Sequence, residues 1–370
     1  IHFTPLKLVA PLGLSYFTFA SLGYAVDQYQ GKYPPEKNIF RYALFVSFFP
    51  AIVTGPIEQG DHLLPQLKAP RPFDYDRCAG GLFRMLWGYV KTMVIAEAVS
   101  PFVRQVYSHP ADYAGPYLAA AAVLFSLYLY MNFSGCCDLA IGSARILGYD
   151  LLENFESPFL APTFRELWRR WHMSLTGWFR RYLYIPLGGS RKGLFRHCLN
   201  LLLVFLFSGL WHGADWGYLW WGLISGLLSV AGLLWDKALK RPKTPQPVPL
   251  PLRILQMIRT DLLFSLVFVF FACALYGSSP AMIFTGLFKG WSGALPGLAS
   301  GFVAAGLDAA SARVALIGAA FVFVCEALGN VSQWVRKLPF WVRWPLYYLL
   351  CLSILFFGAF GQSAYIYQQY

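Results

Sequence analysis

Long apolar runs separated by short polar stretches make up most of this chain. They cover about 6–28, 40–57, 80–100, 117–131, 198–236, 260–277, 313–328 and 341–360. A helix needs roughly 20 apolar residues to cross a bilayer, so the pattern predicts an all-α, multi-span membrane protein. The runs are continuous and do not alternate, which argues against a transmembrane barrel. Two of them depart from the pattern. The 117–131 run is shorter than a full crossing. The 198–236 run is interrupted at WHGADWG, and its first part, Cys198–Leu210, is too short to cross unaided. His212 is therefore expected part-way through the membrane, at a broken turn. Pro11 and Gly13 are tolerable in the first span because neighbouring helices can satisfy the freed backbone groups, while Gly55-Pro56 ends the second run.

Between 164 and 182 the spacing changes to that of an amphipathic helix. Phe164, Leu167, Trp168, Trp171, Leu175, Trp178 and Tyr182 recur every three or four residues, and Arg165, Arg169, Arg170, Arg180 and Arg181 lie off that stripe. Such a helix is expected to lie at the membrane surface with its arginines among the headgroups; Pro162 and Pro186 bracket it. Residues 241–253 (RPKTPQPVPLPLR), within a Pro-rich basic loop over about 240–253, read as an extended linker. There is no sign of an internal repeat or a soluble domain, so 1–370 reads as one transmembrane domain with a re-entrant, tunnel-forming core.

Composition supports the membrane reading. The chain is 57% hydrophobic and 13% charged, against about 25% charged for soluble domains. The net charge of +12 comes from Lys and Arg clustered between apolar runs, a positive-inside pattern and not a nucleic-acid footprint. It places the loops of the 30s, 68–91, 237–259 and 336–343 in the cytoplasm and the loop 101–116 on the opposite face. The seven cysteines form no CxxC pair, which speaks against a disulfide framework or a metal site; Cys136 and Cys137 read as small packing residues. No signal peptide is visible and the chain opens on Ile1 inside an apolar stretch, so further spans are expected ahead of it.

Polar chemistry concentrates between Asn132 and Trp221, where Asp138, Glu153, Asn154, Glu166, His172 and His212 join the five arginines. Ionisable groups near a bilayer are costly and mark pathways or sites. Of the six histidines only His172 and His212 fall in this core. An imidazole buried among apolar groups stays neutral, as a general base must be to take a hydroxyl proton; the alternative use is a hydrogen bond across helices. The arginines either snorkel to lipid phosphates or grip a phosphate-bearing donor, since guanidinium forks match phosphate oxygens. GGSRKG (188–193) is flexible and basic but is no P-loop. Asp138 reads as a cap for a helix beginning at Leu139. Nothing has Ser-His-Asp spacing on one element.

FRELWRRWHMSLTGWFRRYLYIPLGGSR followed by LFSGLWHGADW resembles the membrane-bound O-acyltransferase family, in its bacterial alginate O-acetyltransferase-like branch. PLGLSYFTFASLGYAVDQYQGK, FPAIVTGPIEQGDHLLPQL, NFSGCCDLAIGSARILGYDLLENFESPFLA and the terminal FFGAFGQSAYIYQQY share the likeness, which runs from about residue 9 to 236, thins, and returns at the tail. The resemblance implies a multi-pass protein of the bacterial cell membrane that uses cytoplasmic acetyl-CoA as donor, with no permanently bound cofactor. The acyl group would pass toward hydroxyls of an extracytoplasmic polysaccharide, through a separate SGNH-type partner. It implies that His212, the histidine of WHG, is catalytic and that His172, of RRWH, lines the same tunnel and orients the acyl group or stabilises the oxyanion. Arg165, Arg169, Arg170, Arg180 and Arg181 are the candidates for holding the donor. The chain departs from the family in having Cys136-Cys137 where Tyr-Ser is common, and Arg181 where an aspartate is common. D-alanyl transfer from a carrier protein to teichoic acid, as in a sister branch, and a transport component without bond-making are the alternatives.

Overall fold

The computed structural model describes residues 13–52, 54–240, 248–294, 297–329 and 331–360. Within them every regular element is a helix. Six helices are long and apolar enough to span a membrane: Gly115–Ile146, Gly193–His212, Trp216–Ala238, Leu250–Tyr276, Ala309–Ala327 and Phe340–Phe357. The start of the predicted first span, the linker residues 241–247 and the tail from 361 lie outside the described residues.

Gly115–Ile146 is the axis of the molecule, and its length corrects the short 117–131 run. The helix continues for 32 residues because its polar second half is covered by protein on all sides. Asn132, Ser134, Cys136, Cys137 and Asp138 are all buried. The covering element is Tyr75–Tyr89, which runs through a π-helical stretch, Val90–Ala96, into Glu97–Ser108. This rod replaces the predicted 80–100 span. Glycines set the crossing. A Cβ on Gly88 would lie 2.6 Å from the carbonyl oxygen of Gly135, and one on Gly135 would lie 2.8 Å from that of Gly88. Gly88→Ala is therefore expected to destabilise the fold by about 1–3 kcal/mol, the usual range for overpacking. Gly293→Ala, which meets nothing within 4 Å, is the control in thermal unfolding of the detergent-solubilised protein. Equal stability of the two variants would refute the contact argument.

Two further expectations are corrected. The second run does not cross as one helix: it forms Ile39–Val46 and Phe49–Ile52. The 164–182 segment is not one interfacial helix either. It breaks at Trp171-His172 into Phe164–Arg170 and Met173–Phe179, then adds a π-helical turn, Arg180–Tyr184. Its apolar stripe faces protein instead of lipid: Phe164, Leu167, Trp171, Leu175 and Trp178 are buried in the aromatic core. The three-to-four-residue period was real, but it recorded burial against other helices.

Candidate functional site

The helix Gly193–His212 starts five residues before the predicted run, so it is long enough to cross, and His212 ends it. The helix stops because Gly213 takes φ 152° and Asp215 caps the next helix by accepting a hydrogen bond from Gly217 N–H at 2.7 Å. One face of Gly193–His212 lines a cavity of about 1620 Å³ along its whole length, through Leu194, His197, Leu201, Val204, Phe205, Ser208 and His212. At 1.5 Å rise per residue that face is roughly 28 Å long.

The two ends of the cavity differ in chemistry. His172 and His212 both line it and both are buried, at 4% and 7% exposure. Around them stand aromatic rings. His212 packs edge-on to Trp221 and Phe271, with centroids 5.2 and 5.0 Å away, and His172 packs against Phe133 at 4.8 Å and Trp211 at 6.1 Å. The two imidazoles share Trp211 as a neighbour, its ring centroid 6.1 Å from that of His172 and 4.6 Å from that of His212. At the other end, where Gly193–His212 begins and Trp216–Ala238 finishes, the lining turns cationic with Arg165, Arg180, Arg191, Lys237, Lys240 and Arg259. The GGSRKG loop is folded into this mouth by Asn200, whose amide donates to the carbonyls of Gly189 at 2.9 Å and Leu187 at 3.3 Å. The left-handed turn there uses Gly188 and Gly189, at φ 100° and 56°.

His172 sits in an unusual backbone conformation, φ 45°, which for a non-glycine residue persists only when its surroundings enforce it. Residues 154–156 do so from alongside: Met173 N–H donates to Asn154 O at 2.9 Å, and Glu156 N–H donates to Arg170 O at 3.0 Å. The Asn154 side chain adds a second clamp. Its Oδ1 accepts from Ser174 N–H at 3.1 Å and from the Ser174 hydroxyl at 2.6 Å, and it faces His172 Nδ1 at 3.4 Å.

The five candidate arginines separate into two groups. Arg165, Arg169 and Arg180 line the cavity. Arg165 is bonded to Asp236 at 2.7 Å, whereas Arg169 and Arg180 make no ion pair with a carboxylate among the described residues. Arg170 and Arg181 do not line the cavity. Arg170 pairs with Glu166 one turn back. Arg181 joins fully buried Asp27 and the exposed Asp61, each at 2.9 Å, and so ties the Leu14–Tyr29 helix to the first turn of the Gly60–Lys68 helix. Arg181 thus has acids of its own nearby.

Sequence reasoning missed His197, Arg191, Lys237, Lys240 and Arg259 as cavity residues. The signal for the first was present, since His197 shares the three-to-four-residue face that leads to His212. Asp138 is also reassigned. It caps nothing, lying mid-helix with Arg84 Nε 2.9 Å from Oδ1 and Lys91 Nζ 2.7 Å from Oδ2. Among the described residues no group of three or more His, Cys, Asp or Glu is placed to hold a metal ion.

Residues 25–273 match the family model described as MBOAT, membrane-bound O-acyltransferase family. The chain is 36% identical over 250 residues to "Probable alginate O-acetylase AlgI" of Azotobacter vinelandii, covering 66% of this chain and 49% of that protein. It is 33% identical over 296 residues to the peptidoglycan O-acetyltransferase of Helicobacter pylori, covering 73% and 55%. Identity to the teichoic acid D-alanyltransferase of Bacillus subtilis is 27% over 253 residues, covering 65% and 64%. The chain spans about half the length of the alginate and peptidoglycan relatives it matches.

Proposed function

Given that the chain belongs to the membrane-bound O-acyltransferase family, we propose that it moves an acetyl group from cytoplasmic acetyl-CoA toward hydroxyls of an extracytoplasmic polysaccharide. The observation that carries this reading is the polarity of this cavity, cationic at one end and lined by two imidazoles at the other. That shape suits a donor with phosphates at one end and a thioester at the other. The mouth faces the cytoplasm on this reading, in keeping with the positive-inside bias of its loops, in a bacterial cell membrane. A separate extracytoplasmic protein of SGNH type receives the acetyl group or completes its transfer.

In the reaction the acceptor oxygen forms a bond to the acyl carbon and the C–S bond breaks. The hydroxyl proton passes to an imidazole and from there to the departing thiolate. His172 and His212 are the pair that handle these steps, one receiving the proton and the other orienting the thioester carbonyl. D-alanyl transfer has weaker support, because relatives with that activity are 26–27% identical and those named for alginate acetylation 36–37%.

The test is turnover of radiolabelled acetyl-CoA by purified protein together with a polysaccharide acceptor and partner; a transport component would turn over nothing. The arginines give a finer test. Arg169→Gln and Arg180→Gln should each raise the KM for acetyl-CoA about tenfold or more, since a charge-assisted hydrogen bond is worth roughly 1.5–3 kcal/mol. Arg170→Gln should leave KM within about twofold, as its partner is Glu166. An unchanged KM in the Arg169 and Arg180 variants would return those arginines to lipid anchoring.

A further inference from the structure

Arg180 and Arg181 are adjacent in sequence and serve opposite sides of one wall. The π-helical turn Arg180–Tyr184 is closed by Ile185 N–H donating to Arg180 O at 3.0 Å, and it puts Arg180 and Tyr184 on the cavity. Arg181 and Tyr182 meet the helix Leu14–Tyr29 behind it. That helix docks through a stripe at four-residue spacing, the interval that keeps side chains on one face. Phe19 O accepts from Trp178 Nε1–H at 2.9 Å. Gly23 admits the next two rings: a Cβ there would lie 3.1 Å from Trp178 Nε1 and 3.2 Å from the Tyr182 hydroxyl oxygen. Asp27, fully buried, takes the last position. Its Oδ2 accepts from Tyr182 O–H at 2.7 Å and lies 2.9 Å from Arg181 Nη2, while its Oδ1 accepts from Lys32 Nζ at 2.8 Å.

Adhesion alone does not call for a carboxylate here. Apolar groups of similar volume hold buried surfaces together as well as an ion pair does, and often better. What charge-assisted bonds add is direction. Two of them, from consecutive residues, fix how the turn is rotated and not only how near it sits. The other end of the wall is fixed by Asn200 through Leu187 O and Gly189 O. Between these anchorages Arg180, Tyr184, Ser190 and Arg191 all line the cavity.

We propose that Asp27 is a positioning residue for the acyl donor: by holding Arg181 and Tyr182 from behind, it keeps Arg180 turned toward the cavity mouth to receive a donor phosphate. This rests on the acetyl-CoA reading and deepens it. A guanidinium already in place spends less of its binding energy on ordering itself, so the effect falls on donor affinity.

Equilibrium binding of radiolabelled acetyl-CoA to the full, detergent-solubilised chain, with no acceptor present, is the test. Asp27→Asn keeps the shape and removes the charge. It should raise the Kd about three- to tenfold, up to the worth of one charge-assisted bond. A merely structural loss would instead lower the number of binding sites per protein and leave their Kd unchanged. The decisive comparison is in the Arg180→Gln background. There Asp27→Asn should change the Kd by less than about twofold, because residues acting through one another are not additive. Tyr182→Phe keeps the ring against Trp178, at 4.9 Å between centroids, and deletes only the hydroxyl. It should weaken binding about two- to threefold, near the net worth of a neutral hydrogen bond, and with its own Arg180→Gln double it replaces Asp27→Asn if that variant does not fold. An unchanged Kd, or equal weakening with and without Arg180, would overturn the proposal while wild-type binding leaves the donor reading intact. Wild-type protein that binds no acetyl-CoA would sink the donor reading and this proposal with it.

Discussion

Alanine at position 212 is expected to abolish acetyl transfer while the protein remains folded in the membrane. The loss does not depend on how the two imidazoles share their duties. A positioned general base contributes about 10²–10⁴-fold, and a single donor at a developing oxyanion about 10²–10³-fold. The effect should fall on kcat, because the cationic mouth lies the length of a spanning helix away and is untouched. The helix end should survive, since the turn at Gly213 and the Asp215 cap are made by groups that the substitution leaves in place. Rates with saturating acetyl-CoA and an elution profile matching wild type are the measurements. Transfer above about a tenth of the wild-type rate would remove His212 from the reacting atoms.

The helical membrane class was legible because apolar composition over 20 residues is a strong signal that tertiary context rarely reverses. His172, His212 and the arginine-rich segment were legible for the complementary reason, as ionisable groups set among apolar runs. What stayed hidden were the places where protein packs against protein inside the membrane. The stripe Phe164–Trp178 looks the same whether it meets lipid or other helices, so the break at His172 was invisible without the Asn154 clamp, which comes from 18 residues away. Helix Gly115–Ile146 was cut short because Asn132, Ser134 and Asp138 lower local hydropathy, although all three are buried in protein. Sequence also could not separate Arg169 and Arg180 from Arg170 and Arg181. All four lie on one segment, and only the tertiary fold brings Asp27 and Asp61 to Arg181.

The same blindness to buried pairing explains Asp138, and it leads to the second large effect. Asp138 is 8% exposed and Lys91 4%. Lys91 is presented by the π-helical stretch Val90–Ala96 that the Gly88–Gly135 crossing presses against the long helix. Arg84 bridges from Asp138 to Glu153, with Nη1 2.6 Å from the Glu153 carboxylate. Asp138→Leu would leave the Lys91 ammonium buried without the carboxylate it pairs with. Removing one partner of such a pair typically costs about 3–5 kcal/mol, whereas replacing both with apolar groups can be close to neutral. The single variant should therefore express poorly and unfold at much lower denaturant. Adding Lys91→Met should restore most of the loss, with Arg84 kept neutralised by Glu153. Lys91→Met alone should cost less than Asp138→Leu, because Asp138 retains Arg84. The three variants and wild type form a double-mutant cycle, measured by unfolding in one detergent. Costs that simply add, with no recovery in the double variant, would show that Asp138 and Lys91 do not neutralise each other in the folded protein.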